Sequence, residues 1–119
     1  MADHRTLKAW TEARLVVQGV LRASQDHWRP WAGAVFGQLQ RASLSVQLNI
    51  AEGWSFSASP TCTRHLGIAY GSAIEAADLI ELMIDSELLP KELGEDLRRH
   101  SVQCQRLLVG LLKRRRPLS

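Results

Sequence analysis

The chain has 119 residues, of which 45% are hydrophobic and 23% charged, values typical of one soluble globular domain. No apolar run reaches 18 residues, which excludes a membrane-spanning helix, and two cysteines are too few for a disulfide framework. The first residues lack the apolar stretch of a secretory signal, so a cytoplasmic location is expected. The net charge is +3, but residues 61–90 carry one basic and five acidic groups, whereas residues 91–119 carry eight basic and three acidic groups. Such asymmetry favours pairing between segments or a polyanionic partner.

The first predicted helix covers residues 4–24. Apolar side chains recur along it at steps of three and four residues and mark its expected core face: Trp10, Ala13, Val17, Val20 and Leu21. The next segment, 24–32, contains a proline and three bulky rings, which predicts a connection between helices. Trp28 and Trp31 in this segment favour a plug at the end of a helical bundle. Stacking of their rings on bases is the alternative.

The second predicted helix covers residues 34–56. One face is assigned to the core: Val35, Leu39, Ala42, Val46, Asn49 and Ile50. The opposite face is also apolar, with Leu44, Leu48 and Ala51. Apart from Arg41 and Glu52 the segment is uncharged. A helix that is apolar on two sides is usually buried on two sides, so this one is expected to contact another subunit.

The third predicted helix covers residues 60–86 and starts with Ser59 as N-cap and Pro60 as first helical residue. Its expected core face is regular: Cys62, Leu66, Ala69, Tyr70, Ala73, Ala77, Ile80 and Ile84. A second apolar patch is predicted off this face: Ile68, Leu79 and Met83. Gly67 and Gly71, four residues apart, favour close approach of another backbone, although each glycine costs about 1 kcal/mol of helix propensity.

The fourth predicted helix covers residues 90–114, and Pro117 ends it. Its core face is leucine-rich: Leu93, Leu97, Cys104, Leu107, Leu108 and Leu111. Val102 and Val109 lie on the far side among arginines. Short links between long amphipathic helices favour an all-α, up-down-up-down four-helix bundle. We expect a single domain over residues 1–119, with a basic C-terminal tail at 113–119.

More apolar side chains lie off the predicted core faces than one bundle can bury. This surplus predicts a homo-oligomer. The interface residues we expect are Leu44, Leu48, Ala51, Val102 and Val109.

Four carboxylates crowd one side of the third helix: Glu75, Asp78, Glu81 and Asp85. Their spacing is compatible with a divalent metal or an acid–base cluster. Carboxylate sites in bundles normally use Glu-x-x-His, which is missing. We therefore favour a solvated face, or one paired with the stripe Arg99, Arg106 and Lys113, and expect no metal and no cofactor. The helical serines and Cys104 show no nucleophile motif, and we expect no enzyme.

Positive charge on the fourth helix and tail is the candidate functional feature. A basic helix end is often only solvated and suits the C-terminal dipole. It is also what binding to a phosphate backbone requires. The residues predicted to bind nucleic acid are Arg98, Arg99, Arg106, Lys113, Arg114, Arg115 and Arg116.

Three blocks resemble one family, the four-helix bundle proteins also called 23S rRNA intervening-sequence proteins. The similarity spans about residues 6–112. Its signature R-A-x-x-S-I-x-x-N-I-A-E-G is matched by Arg41-Ala42-Ser43, Ser45-Val46 and Asn49-Ile50-Ala51-Glu52-Gly53. The flanking blocks are Leu7-Lys8-Ala9-Trp10-x-x-Ala13 and Arg64-x-Leu66-x-Ile68-Ala69-x-Gly71-Ser72-x-x-Glu75.

The resemblance implies an all-helical protomer that assembles into a ring, typically a pentamer, with no known catalytic activity. It also implies nucleic-acid binding, of RNA or DNA. A related group serves diversity-generating retroelements as the accessory partner of a reverse transcriptase. We assign a structural role to Asn49, Glu52, Gly53, Gly71 and Glu75, with a cation such as Arg41 or one from another subunit beside Glu52. The alternative function is a protein-interaction ring, or adaptor, without direct nucleic-acid contact.

Overall fold

A computed structural model of the chain describes residues 3–115, with only the backbone of Arg115, and contains no strand within that range. The fold is all-helical, as predicted. Its four helices are α1 (Lys8–His27), α2 (Gly33–Trp54), α3 (Pro60–Asp85) and α4 (Lys91–Arg115). Short 3₁₀ turns precede the first two helices, at His4–Thr6 and Pro30–Ala32. Of the predicted tail, residues 116–119, including Arg116, lie outside the described residues.

The start of α3 follows the predicted capping chemistry. The backbone N–H of Cys62 donates to Oγ of Ser59 at 3.2 Å, and Pro60 opens the helix. The start of α1 differs from the prediction. Asp3 accepts the backbone N–H of Arg5 at 2.9 Å and caps a separate 3₁₀ turn. Leu7 is then extended, so the regular helix begins four residues later than expected.

Side-chain contacts show that neighbouring helices are antiparallel. Asn49 of α2 meets His65 of α3, while Oγ of Ser101 in α4 donates to the carbonyl of Ala73 in α3. Sγ of Cys104 in α4 contacts the carbonyl of Ala9 near the start of α1. The four helices therefore form the predicted bundle, an elongated body of 48 × 21 × 20 Å.

The core consists of two clusters, one toward each end of the bundle. The first contains Ile50, Trp54, Leu66, Cys104 and Leu108, among others. The second contains Phe36, Leu39, Ile80, Met83 and Leu97, among others. Small residues, including the buried Ser43 and Ser101, occupy the level between them. Small side chains at this level let the four helices approach closely.

Two core assignments made from periodicity are wrong. Leu21 is 51% exposed, because the buried face of α1 centres on Val16 and Val20 and a residue one step further turns outward. Met83, assigned to a patch off the core, is fully buried in the second cluster. Phe36, among the largest buried side chains, was missed because α2 is apolar over most of its circumference.

The tryptophans between α1 and α2 behave differently from each other. Trp28 packs on the buried Phe36, with ring centroids 5.6 Å apart, although 45% of Trp28 stays exposed. Trp31 is 76% exposed and plugs nothing within the described chain. The turn Pro30–Ala32 holds it outside the helical packing.

Candidate nucleic-acid interface

The bundle separates its charges along its length. We call residues 3–14, 45–73 and 101–115, which surround the first core cluster, the basic half. They include eight basic and three acidic residues. Residues 15–44 and 74–100 form the acidic half, with six basic and nine acidic residues. Antiparallel packing produces this separation, because it brings the start of α1 beside the end of α4.

Arg98 and Arg99 lie in the acidic half, and each has a carboxylate partner. Nε of Arg98 is 3.6 Å from Oε2 of Glu81 on α3. Arg99 donates to Asp96, one turn earlier on α4. These pairs are solvent-exposed and weak, but they offset the positive potential that the two arginines would present.

Arg106, Lys113 and Arg114 lie in the basic half and are exposed. Within residues 3–115, no carboxylate lies within 4.0 Å of their charged groups. Arg106 and Lys113 are seven residues apart, which is about 10 Å along one face of a helix. Their charges are therefore available to a polyanion. The side chain of Arg115 and all of Arg116 lie outside the described part of the chain.

A shallow groove of about 330 Å³ follows the outer face of α4. Its lining includes Arg98, Val102 and Arg106. Val102, predicted as a subunit contact, thus shares a surface with three residues predicted to contact nucleic acid, since Arg99 also lines the groove. The structure brings those two predictions together on one face.

Asn49, at the centre of the signature block, joins α2 to α3. Its Nδ2 donates to the carbonyl of Ser45 at 2.9 Å, which leaves Oδ1 as an acceptor. Nδ1 of His65 lies 2.9 Å from that Oδ1 and must donate. Oγ of Ser45 also lies 2.8 Å from Oγ of Ser72. A network of hydrogen-bonded polar groups therefore connects α2 to α3.

Glu52 lies beside this polar network, with its Oε2 4.0 Å from Nδ1 of His65. Arg41 does not pair with it in the protomer, because eleven residues of one helix separate them by roughly 16 Å. Arg41 instead donates to Oε1 of Gln38 at 3.1 Å, and Gln38 donates to Glu75 on α3. Two signature carboxylates thus sit at two polar links between α2 and α3.

Gly53 permits the closest part of that packing. A Cβ placed there would lie 2.7 Å from Cβ of His65 and 3.4 Å from the carbonyl oxygen of Cys62. Gly53 therefore leaves room for α3 to pack closely against the end of α2. Gly67 and Gly71 are different, since a Cβ at either meets nothing within 4 Å in the described chain. The close approach of another backbone predicted at these two glycines would therefore have to come from a second protein chain.

The carboxylates of α3 do not pair with the stripe Arg99, Arg106 and Lys113. The cross-helix partner of Glu81 is Arg98, because the stripe faces away from α3. Across residues 3–115, no three His, Cys, Asp or Glu side chains converge to hold a metal ion. The same residues include no helix long and apolar enough to cross a membrane.

Residues 5–110 match the sequence model of the family described as 23S rRNA-intervening sequence protein. The chain belongs to that family. The fold is similar to that of a crystal structure from Bacteroides thetaiotaomicron VPI-5482, described as a protein of unknown function from the S23 ribosomal protein family. The TM-score is 0.78 at 19% identity, over 88% of this chain and 98% of the other. No curated protein matches the chain.

This 23S rRNA-intervening sequence family member also exposes large apolar side chains on α2 and α3. Leu44 and Leu48 project from α2, and Ile68 and Ile74 from α3. Ala51, Val102 and Val109 are partly exposed. Of the predicted interface residues, the two leucines are therefore the most available to a second chain.

One polar cluster escaped the sequence analysis. His100 of α4 contacts Glu12 of α1 through Nδ1, while its Nε2 lies 3.9 Å from Asp96. Nearby, burial raises the pKa of the Cys104 thiol to about 12, and the charge of Glu12 adds to the effect. Spacing within α4 could not reveal this cluster, because its partner lies 88 residues away in sequence.

Proposed function

We propose that this chain is a non-enzymatic, homo-oligomeric accessory protein of the cytoplasm that binds nucleic acid through its basic half with little sequence specificity. The observation that carries the proposal is the separation of charge along the bundle. Arg106, Lys113 and Arg114 lack a carboxylate partner among the described residues, whereas Arg98 and Arg99 have one. We therefore centre the binding surface on the second half of α4.

Cations of this kind bind a phosphate backbone by releasing its condensed counterions, which makes affinity depend steeply on salt. One protomer offers few such contacts. A ring, typically a pentamer by resemblance, would repeat them and raise the avidity. Exposed Leu44, Leu48 and Ile68 support the oligomer, because large apolar side chains exposed on neighbouring helices commonly contribute to a protein interface.

RNA is the favoured ligand because the family description refers to ribosomal RNA. Service to a reverse transcriptase in a diversity-generating retroelement is a further part of the proposal and rests on resemblance alone. The second candidate is an adaptor ring without nucleic-acid contact. The exposure of Trp31 favours it, since an exposed tryptophan is a frequent anchor at protein interfaces.

The test compares two double variants with equal charge change, Lys113→Gln with Arg114→Gln and Arg98→Gln with Arg99→Gln. Binding to a fluorescent RNA is measured by anisotropy over a salt series. We expect the first variant to weaken binding and to lower the slope of log affinity against log salt by about 1 to 2 per protomer engaged. The second should change both quantities less, because its arginines are already paired.

Absence of RNA and DNA binding by the unaltered protein at low salt would rule out the proposal and leave the adaptor function. An equal loss of RNA affinity in the two double variants would show that binding depends on the net charge of the protein and not on the location of the cations in the basic half. Circular dichroism of both variants checks that the bundle is intact.

A further inference from the structure

Trp10 lies in the basic half, on α1, and its ring is only partly buried. It packs against the first core cluster, which fixes the ring in place. His4 approaches the ring, with centroids 5.3 Å apart and planes at 68°. The guanidinium carbon of Arg14 lies over the ring, 5.5 Å from its centroid.

Few contacts hold Arg14 in this position. Its side chain is exposed, and it makes no ion pair or hydrogen bond with the described residues, so the cation–π contact alone holds it. Such a contact contributes only about 0.5–1 kcal/mol at an exposed site. A flat base between the two groups needs two contacts of about 3.5–4 Å each, or roughly 7 Å in total. Because the guanidinium carbon now lies 5.5 Å from the ring centroid, Arg14 would have to move away from the ring by about 2 Å to admit a base.

We propose that Trp10 and Arg14 form a stacking site for one unpaired base of a single-stranded nucleic acid. The inference rests on the proposed function, because the surrounding cations must first hold the phosphates. Arg5 and Lys8 lie on the same stretch of chain, although Arg5 is bound to Asp3. Bases within a duplex are already stacked on each other and cannot enter this site. The proposal therefore predicts that the basic half binds single-stranded nucleic acid in preference to a duplex.

Trp31 provides the matched comparison. It is far more exposed than Trp10, but it lies in the acidic half, where acidic residues outnumber basic ones. No cation lies over its ring within the described residues. Exposure alone does not make a base-stacking site, because the phosphates attached to the base must also be attracted.

The experiment measures binding of three probes of equal length: an unstructured single strand, an abasic strand with the same number of phosphates, and a blunt duplex. The unaltered protein should prefer the normal strand to the abasic one. Trp10→Leu retains apolar cover for the core and removes the aromatic face, so it should bind the normal strand roughly tenfold more weakly and the abasic strand unchanged. Trp31→Leu should bind all three probes as the unaltered protein does.

Arg14 gives a second, surface-exposed pair of variants that is independent of the core. Arg14→Lys keeps the charge and loses the planar group, so it should weaken binding of the normal strand and spare the abasic strand. Arg14→Gln should weaken binding of both. A loss confined to the normal strand in both Trp10→Leu and Arg14→Lys supports the stacking site.

Equal affinity of the unaltered protein for normal and abasic strands would overturn this inference and leave charge-driven binding in place. Equal losses on both strands in Trp10→Leu would overturn it as well. If none of the three probes binds at low salt, the proposed function itself fails, which is a separate result.

Discussion

Nδ1 of His65 donates a hydrogen bond of 2.9 Å to Oδ1 of Asn49 and so fastens α3 to the signature segment of α2. The orientation of the amide is fixed by its donation to Ser45. His65 therefore carries a proton on Nδ1 whether the ring is neutral or charged. Phe56 stacks on the imidazole, with centroids 5.7 Å apart and planes within 7°. The pair holds the end of α2 against α3.

Replacement of Asn49 by alanine should destabilise the bundle. The change leaves the Nδ1–H of a largely buried His65 without an acceptor, which typically costs about 1–2 kcal/mol. For a chain of this size we expect a melting temperature lower by several degrees, measured by circular dichroism. Gln18→Ala, at an exposed position of α1, is the control and should change little. Equal melting temperatures for the two variants would show that the link does not contribute.

Alanine at Gly53 and at Gly71 should have opposite effects on the protomer. At Gly53 the new Cβ meets Cβ of His65, and overpacking of this kind costs about 1–3 kcal/mol. At Gly71 nothing within the described chain obstructs it, so the gain in helix propensity should stabilise by up to about 1 kcal/mol. Urea denaturation measures both. A destabilised Gly71→Ala protein whose assembly also weakens would place a second chain against that glycine.

A charge introduced at Leu48 should break the proposed oligomer and leave the protomer folded. Leu48 is 52% exposed on α2, so Leu48→Glu does not bury a charge within the bundle. Leu21→Glu is a matched control, since Leu21 is 51% exposed but lies on α1, outside the predicted interface. Sedimentation should show dissociation for the first variant only. A monomeric unaltered protein at micromolar concentration would refute the oligomer.

The Cys104 thiol should be protected from alkylation while the protein is folded. Desolvation raises its pKa to about 12, with a smaller contribution from Glu12, and the thiolate is the reactive form. In a Cys62→Ala background, iodoacetamide at pH 8 should react far more slowly with the folded protein than with the protein in urea. Fast labelling of the folded protein would contradict this environment.

The same pKa shift predicts lower stability in alkali. An unfolded chain loses the thiol proton near pH 9, whereas the folded chain keeps it to about pH 12. Between these values the folded state binds more protons, so stability falls as pH rises, and it is unaffected by this group below about pH 9. Cys104→Ala should flatten the decline in urea-denaturation midpoints between pH 9 and the highest pH that the protein tolerates.

Periodicity predicted the helices because each is long and keeps a steady apolar stripe. Periodicity failed at the edges of the stripe, where neighbouring positions, about 100° apart around the helix, can lie one in the core and the other in solvent. Leu21 turned out exposed for that reason, and Met83 turned out buried. The 3₁₀ turn before α1 was missed because it depends on the side chain of Asp3 rather than on an apolar pattern.

The candidate site was predictable only in part. Counts along the sequence located positive charge in α4, but they could not tell Arg99, which binds Asp96, from Arg106, which has no carboxylate partner in the described chain. Nor could they place Lys8 in the same half of the bundle as Lys113, since that requires antiparallel packing. Trp10 was assigned to the core by its spacing, and its contact with Arg14 is visible only in three dimensions.

A molecule with opposite charges on its two halves experiences a torque near a polyanion. Beyond about 10 Å the field is screened, but within that distance the basic half is drawn in and the acidic half is pushed away. Each encounter is therefore aligned before any contact forms, which shortens the rotational search for a productive pose. If the basic half binds a nucleic acid as proposed, the repelled half, with Trp31 at its surface, stays turned toward solvent and accessible to a further molecule.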